Sequence, residues 1–355
     1  MYIFILPRFS GGGAERVILN LLTELYLRHN PVCIIVFDSS GPLLSKVPKG
    51  VPVYNLGTIK LKYSIIHLIK KINQIQPKVV FSTFGYINVA LLAIRWLLPR
   101  KTKIFIREAN LPSISLPNNS YTRLMNILYQ FLYRTSDKLI CSSIRMKDEF
   151  VLDFSVPEST IEILPNPIDV DLIRSSSTPI KRFDRGGVCY ISAGRLTFQK
   201  GFDRLLRWFS KLDDKNSTLV ILGDGDLKYE LLREVALLSL QEQVRFVGFC
   251  DNPWKWYAGA DVFLLSSRWE GMPNSVLESL ACGTPVIATD ESGGIKEITN
   301  NGVTTVTGSQ QFIKAMKKVD VKDKELKYDS LLPEKYIKEN VASIVEGWLC
   351  NHPKN

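Results

Sequence analysis

Short apolar runs alternate with amphipathic stretches along this chain, and the alternation occurs twice. In the first half, Tyr2–Leu6, Val32–Phe37, Val79–Ser82, Lys103–Ile106, Lys138–Cys141 and Ile161–Leu164 read as strands. Ala14–Arg28, Ser64–Gln76 and Tyr121–Thr135 between them carry apolar residues at helical spacing. A polar stretch rich in serine and glycine, residues 173–187, interrupts the pattern. It restarts with Val188–Ala193, Gly201–Leu212, Thr218–Leu222, Leu227–Leu238, Val244–Val247, Val262–Leu265, a helix from Pro273, and Pro285–Ala288. Strands this short and apolar, separated by helices, belong in parallel sheets covered on both faces. The expected fold class is therefore α/β, with two Rossmann-like domains facing across a cleft. The expected division is a first domain at 1–172, a linker at 173–187 and a second domain at 188–332. A last helical segment, 333–355, has no strand after it and is open to packing back on the first domain. In such sheets ligands bind beyond the carboxyl ends of the strands.

Composition narrows the partners. The 355 residues are 45% hydrophobic, which supports two full cores and excludes a disordered chain. The net charge of +10 is uneven: residues 1–175 hold 21 basic and 12 acidic side chains, residues 176–355 hold 24 and 23. Such asymmetry suits an anionic partner of the first half, or lysines kept for solubility. No run of five or six basic residues marks a nucleic-acid arm, so no nucleic-acid partner is expected. Six cysteines, with no C-x-x-C pair, and three scattered histidines offer neither a disulfide frame nor a metal site. The N-terminal MYIFILP is too short for a signal peptide, and Val89–Leu98 is about half a membrane span with Arg95 inside it. The expected location is cytoplasmic.

Four motifs carry chemistry. RFSGGGAER (Arg8–Arg16) follows the first strand and opens a helix. Its glycines allow close approach of a ligand, and the helix start offers free N–H groups to an anion. A plain surface turn is the other reading, because neither G-x-G-x-x-G nor G-K-[ST] is present. GRLTFQKGFDRLL (Gly194–Leu206) sets Arg195 and Lys200 on a strand-to-helix turn, where two cations clamp a diphosphate or are simply solvated. GDGD (Gly223–Asp226) reads as a turn with Asp224 or Asp226 capping the next helix, in preference to a metal-binding carboxylate pair.

The fourth motif is WEGMPNSVLESLACGTPVIATDESGG (Trp269–Gly294). Pro273 suits the first position of a helix, Glu270 precedes it, and Glu278 lies inside it, roughly 7–8 Å further along the axis. The two carboxylates can reach opposite ends of an extended ligand and accept from its hydroxyl pairs, while phosphates between them meet helix N–H groups. Singly, Glu270 is a favourable charge at a helix start and Glu278 an exposed helix glutamate. Their joint spacing favours a site.

With these residues assembled, the chain resembles the retaining family-4 glycosyltransferases of the GT-B fold, of the type acting in bacterial polysaccharide, lipopolysaccharide, capsule or lipid-linked glycan synthesis. The resemblance covers almost the whole chain. It rests most on E-x7-E (Glu270–Glu278), with S-G-G-x-x-E-I (Ser292–Ile298), N-P-I-D (Asn166–Asp169) and G-D-G in support. It implies that Glu278 holds the nucleotide ribose and Glu270 the transferred sugar, with Arg195 and Lys200 on the diphosphate. Gly12 and Gly13 would approach phosphates or sugar, and Asn274, Gly293 and Gly294 would add donor contacts. No cofactor or metal is expected, the cations serving the departing diphosphate instead. Family members often carry a histidine near residue 107; here the run is IFIREANLPS, so that role does not transfer. Arg107 and Asn110 resemble the R-x-x-N run of a subset acting on polysaccharide and lipid-linked acceptors. Arg107 and Glu108 are accordingly assigned to the sugar or acceptor side.

The implied activity is transfer of a hexosyl or N-acetylhexosaminyl group from a nucleotide-diphosphate sugar, UDP-linked in preference to GDP-linked, to a glycan or polyprenyl-diphosphate-linked acceptor. The alternatives are a non-catalytic nucleotide-sugar-binding subunit and a nucleotide-sugar epimerase. Lys60, Lys62, Lys70, Lys71, Lys78, Arg100, Lys101 and Lys103, with the apolar and aromatic Tyr121–Tyr133, suit a peripheral position on an anionic inner membrane face. A core helix is the other reading of Tyr121–Tyr133.

Overall fold

A computed structural model describes residues 1–57, 61–116, 122–178, 185–298, 302–321 and 328–350. Lys60, Tyr121 and residues 179–184 of the expected linker lie outside them, as does the side chain of Lys62.

Seven parallel strands build the first sheet: β1 Tyr2–Leu6, β2 Val32–Val36, β3 Val53–Asn55, β4 Val79–Ser82, β5 Lys103–Arg107, β6 Lys138–Cys141 and β7 Ile161–Ile163. Six build the second: β8 Cys189–Ala193, β9 Thr218–Leu222, β10 Val244–Gly248, β11 Val262–Leu265, β12 Val286–Thr289 and β13 Val303–Val306. Their spatial orders are β3-β2-β1-β4-β5-β6-β7 and β10-β9-β8-β11-β12-β13. Each order reverses once, between β1 and β4 and between β8 and β11. At such a point neighbouring connections leave in opposite directions and open a crevice at the strands' carboxyl ends.

The central strands are buried on both faces because alternate side chains enter different cores. Ile3 and Ile5 join one apolar cluster, while Phe4 and Leu6 join another on the opposite face. In the second sheet Ile191 and Phe263 face one cluster and Tyr190 and Leu264 the other.

The chain forms two compact units, Met1–Pro167 with Lys338–Asn355, and Ile168–Ile337. This differs from the expected limits of 172 and 187. Asp169 caps a helix, Val170–Ser176, by accepting from the Leu172 N–H at 3.0 Å, and Ile173 is buried in the second unit's core. These residues start the second unit instead of ending the first or linking the two. The final helix, Lys338–Cys350, packs beside Gly13–Leu27 in the first unit. Its apolar face puts Val341, Ala342 and Val345 into that unit's core. Arg28 fixes its register, donating to Ser343 Oγ at 2.8 Å, Glu346 Oε2 at 2.9 Å and the Glu339 carbonyl at 2.7 Å. Among the described residues, no helix is long and apolar enough to cross a membrane.

Val345 is 1% exposed, so Val345→Asp sets an unpaired charge in the first unit's core. The cost is several kcal/mol. A marked fall in melting temperature is expected by calorimetry; an unchanged transition would mean that the helix does not seal this core.

Candidate functional site

The turn after β8 and the loop after β11 flank the point where the second sheet's order reverses. The first carries Arg195 and Lys200, the second Glu270. Lys200 Nζ and Glu270 Oε1 form an ion pair and hydrogen bond, and Ser267 Oγ donates to the same carboxylate oxygen at 2.7 Å. Glu270 is 6% exposed, a burial that a carboxylate sustains only with such partners. Gly194 leaves room for the lysine: a Cβ there would lie 3.1 Å from its Cδ. Arg195 is exposed.

Glu278 lies within the helix Asn274–Ala281 and is 8% exposed, not the solvated glutamate that a lone helix position suggests. Trp254 Nε1 donates to its Oε2 at 3.2 Å. Pro273 is the residue preceding the helix and not its first member; Asn274, half-buried, takes that place.

Several glycines serve the protein's own backbone. Gly293 has φ +69°, and a Cβ there would lie 2.1 Å from the Glu270 carbonyl oxygen. The Gly294 N–H donates to the Gly271 carbonyl at 3.0 Å. Both residues thus fit the turn Asp290–Glu297 closely against the Glu270 loop. In G-D-G, Cβ atoms at Gly223 and Gly225 would meet the carbonyls of Gly194 and Leu196 at 2.0 and 2.6 Å. The expected aspartate cap is absent: the helix Lys228–Leu237 follows Leu227, without a side-chain cap. Asp224 instead accepts from the Gly225 N–H at 2.9 Å and pairs with Lys228. Its acidity increases chiefly through that backbone bond.

The first unit is built differently. Gly12 precedes the helix Gly13–Leu27, and Glu15 in its first turn is buried. Ser10 Oγ donates to Glu15 Oε1, and a Cβ on Gly12 would lie 2.4 Å from Oε2. The helix start read as an anion site therefore holds a carboxylate of the chain itself. The signal for this was in the sequence: glutamate three residues beyond the helix-preceding glycine is the position from which a side chain folds back over a helix start. Tyr86, whose hydroxyl burial and the Glu15 charge push up to about 12, lies within that charge's reach.

Arg107 ends β5 and is buried, its guanidinium donating to Thr83 Oγ1 at 3.1 Å and Asn166 Oδ1 at 2.6 Å. Burial brings it down to about 10. Glu108, assigned to an acceptor contact, is turned inward: its Oε1 accepts from Asn88 Nδ2 at 2.9 Å, from Tyr129 at 3.3 Å and from the Tyr133 hydroxyl. Burial pushes this carboxyl up to about 7, against those hydrogen bonds and the Arg107 charge. Cys33, Cys141, Cys189 and Cys282 are buried thiols.

Two Rossmann-like units, each with one reversal of strand order, have the topology of the GT-B fold. Residues 11–172 match the family model Glycosyltransferase Family 4, and residues 176–328 match Glycosyl transferases group 1. An N-acetylgalactosamine-N,N'-diacetylbacillosaminyl-diphospho-undecaprenol 4-alpha-N-acetylgalactosaminyltransferase of Campylobacter jejuni is 31% identical over 300 residues, 81% of this chain and 80% of that protein. An uncharacterized glycosyltransferase of Methanocaldococcus jannaschii is 30% identical over 268 residues, 72% of this chain and 65% of that protein. The crystal structure of Anabaena HepE in complex with UDP and glucose shares the fold, with a TM-score of 0.75 and 16% identity over 99% of both chains. The chain belongs to the family-4 glycosyltransferases of GT-B fold, enzymes of polysaccharide and lipid-linked glycan synthesis.

The buried Glu108 predicts a pH dependence. Its folded value of about 7 exceeds the ordinary 4.5, so the folded state holds a proton that the unfolded state releases first. That contribution is full below the ordinary value and is lost as pH rises through about 7, a change of at most about 3 kcal/mol. Glu108→Gln is expected to flatten the fall in melting temperature between about pH 5 and pH 8. An identical fall in both proteins would place the carboxyl's ionisation elsewhere.

Proposed function

We propose that this glycosyltransferase moves a hexosyl or N-acetylhexosaminyl group from a UDP-sugar to a glycan or polyprenyl-diphosphate-linked acceptor, with retention of anomeric configuration. The observation that carries the donor reading is the pairing of half-buried Lys200 with buried Glu270 at the reversal of the second sheet, with Glu278 buried in the helix that follows. A carboxylate accepts from sugar or ribose hydroxyls, and an ammonium has three N–H donors, so pairing with Glu270 leaves Lys200 capacity for a phosphate oxygen. On this reading Glu278 takes the ribose, Glu270 the transferred sugar, and Lys200 with Arg195 the diphosphate. Asn274 at the helix start and the Gly293–Gly294 turn line the donor.

The chemistry follows from charge. As the bond from the anomeric carbon to the diphosphate breaks, its electron pair stays on the leaving oxygen, and Lys200 and Arg195 compensate that charge without a metal. The acceptor hydroxyl bonds to the anomeric carbon on the same face, and its proton passes to the leaving phosphate oxygen. In the first unit, Gly12 and Gly13 serve sugar hydroxyls better than phosphates, because an added anion there would face Glu15. UDP is favoured by the HepE complex and the lipid-linked acceptor by the Campylobacter relative's name.

Peripheral attachment is part of the proposal. On the helix Thr122–Leu132, Leu124, Ile127 and Phe131 are 53%, 51% and 66% exposed, while Tyr129 is buried on the other side. Three apolar side chains at helical spacing, flanked by Arg123 and Arg134, suit the interface of an anionic bilayer.

Two measurements test these readings. Calorimetric titration with UDP and GDP, in chelator, is expected to show UDP binding that weakens about tenfold or more in Glu278→Ala, a loss of 1.4 kcal/mol or more. A folded protein that binds neither nucleotide would overturn the donor assignment. Vesicles with about a third anionic lipid are expected to retain the native chain and to release the triple variant Leu124→Ser, Ile127→Ser, Phe131→Ser. Equal retention, or none for either protein, would remove the membrane reading.

A further inference from the structure

We infer that Arg204 is a positioning residue for the donor sugar: it sets the loop that presents Glu270, without being one of the groups assigned to the donor. The inference rests on the reading of Glu270 as the sugar contact.

Arg204 lies on the helix Phe202–Phe209, four residues beyond Lys200, and its side chain is 17% exposed. Its guanidinium is committed to the protein on several sides. Nε donates to the Ser266 carbonyl at 2.8 Å. Nη2 donates to the Ser267 carbonyl at 2.8 Å and to Thr289 Oγ1 at 3.3 Å. Nη1 pairs with Glu291, and the guanidinium carbon lies 5.1 Å from the centre of the Trp208 ring. The hydrogen-bond partners sit 62 to 87 residues away, on the loop after β11, at the end of β12 and in the turn that carries Gly293 and Gly294.

What the arginine holds is the root of the site. Ser267 Oγ donates to Glu270 Oε1 at 2.7 Å, so a fixed Ser267 backbone fixes one side of that carboxylate. Ser266 Oγ donates to the Lys200 carbonyl at 3.0 Å, tying the same two residues to the lysine's backbone. The Ser267 carbonyl also accepts from Thr289 Oγ1 at 3.0 Å and Ser292 Oγ at 2.9 Å. The approach is close: Gly201, at φ +65°, lacks a Cβ that would lie 2.2 Å from the Ser266 carbonyl and 2.9 Å from Arg204 Nε. A planar fork that reaches two successive carbonyls and a hydroxyl is a task for arginine; a lysine ammonium supplies a point charge for one or two of them.

The expected behaviour separates positioning from folding. Glu278 and the ribose end lie outside the arginine's contacts, so UDP affinity should change less than about threefold in Arg204→Met. Affinity for whichever of UDP-glucose, UDP-galactose, UDP-GlcNAc or UDP-GalNAc the native enzyme binds should fall about tenfold, and turnover about 100-fold, with Arg204→Lys in between. In a Glu270→Ala background the same Arg204 change should add little to the loss, because the two act through one carboxylate. Amide exchange at residues 266–271, followed by mass spectrometry, should quicken in both Arg204 variants whatever they bind. Equal losses for UDP and UDP-sugar, additive effects with Glu270→Ala, or unchanged exchange in that loop would each overturn the inference. Failure of the native enzyme to bind UDP would instead remove the donor reading, and the exchange measurement would still decide whether Arg204 sets the loop.

Discussion

A buried, charged carboxylate is costly unless it is paired, and in this chain the cation for Glu270 comes from 70 residues away. Only the sheet order makes that meeting possible. Lys200 follows β8 and Glu270 follows β11, which are neighbours because the strand order reverses between them. Much of the second unit's unusual backbone then follows from closing this pair. Gly194 gives the lysine stem its space, Gly293 lets its turn lie against the Glu270 carbonyl, and Gly223 and Gly225 lie against the Gly194–Leu196 turn. Glycines that resemble a ligand-binding loop in the sequence are thus, to a large extent, the clearance the protein needs for itself. The ligand benefits indirectly, through a loop that cannot drift.

What could be read from the sequence follows from the range of the interactions. The strands buried on both faces were legible because their apolar runs are short and complete. Two edge strands, Val53–Asn55 and Val303–Val306, went unread: the outer residues of the first and the middle residues of the second are exposed, so neither shows a buried run. The unit boundary was misread because Asp169–Ser176 is polar and short, and its role as a capped helix depends on burying Ile173 against residues far along the chain. Glu270 and Glu278 were legible through local spacing. Arg204 and Trp254 were not, since their acceptors lie at least 24 residues away, and two of those of Arg204 are carbonyls, which every residue type possesses.

Arg107 and Glu108 are neighbours in the sequence with different surroundings. Successive residues at the end of a strand point to opposite faces, so one site could not easily use both. Arg107 turns to Thr83 and Asn166, whereas Glu108 turns to Asn88, Tyr129 and Tyr133. Gly85 belongs to the second arrangement, because a Cβ there would lie 1.9 Å from the Tyr129 hydroxyl. The N-P-I-D run gains a physical reading from the same contacts. Asn166 holds the arginine of the first unit, and Asp169 caps the first helix of the second.

The two units share a topology and differ in the charge at the point where each order reverses. In the first, the helix after β1 starts with its own buried carboxylate, Glu15. In the second, the turn after β8 carries Arg195 and Lys200, and the carboxylate nearby is already matched by the lysine. An incoming diphosphate bears several negative charges and gains only where cations exceed carboxylates. A hydroxyl-rich sugar makes the opposite demand, for carboxylates that accept from its O–H groups. On the proposed reading, this difference assigns the diphosphate to the second unit and leaves the first to neutral, hydroxyl-bearing groups, although the first unit holds nearly all of the chain's excess positive charge. On the same reading, that excess is left for the anionic membrane surface proposed above.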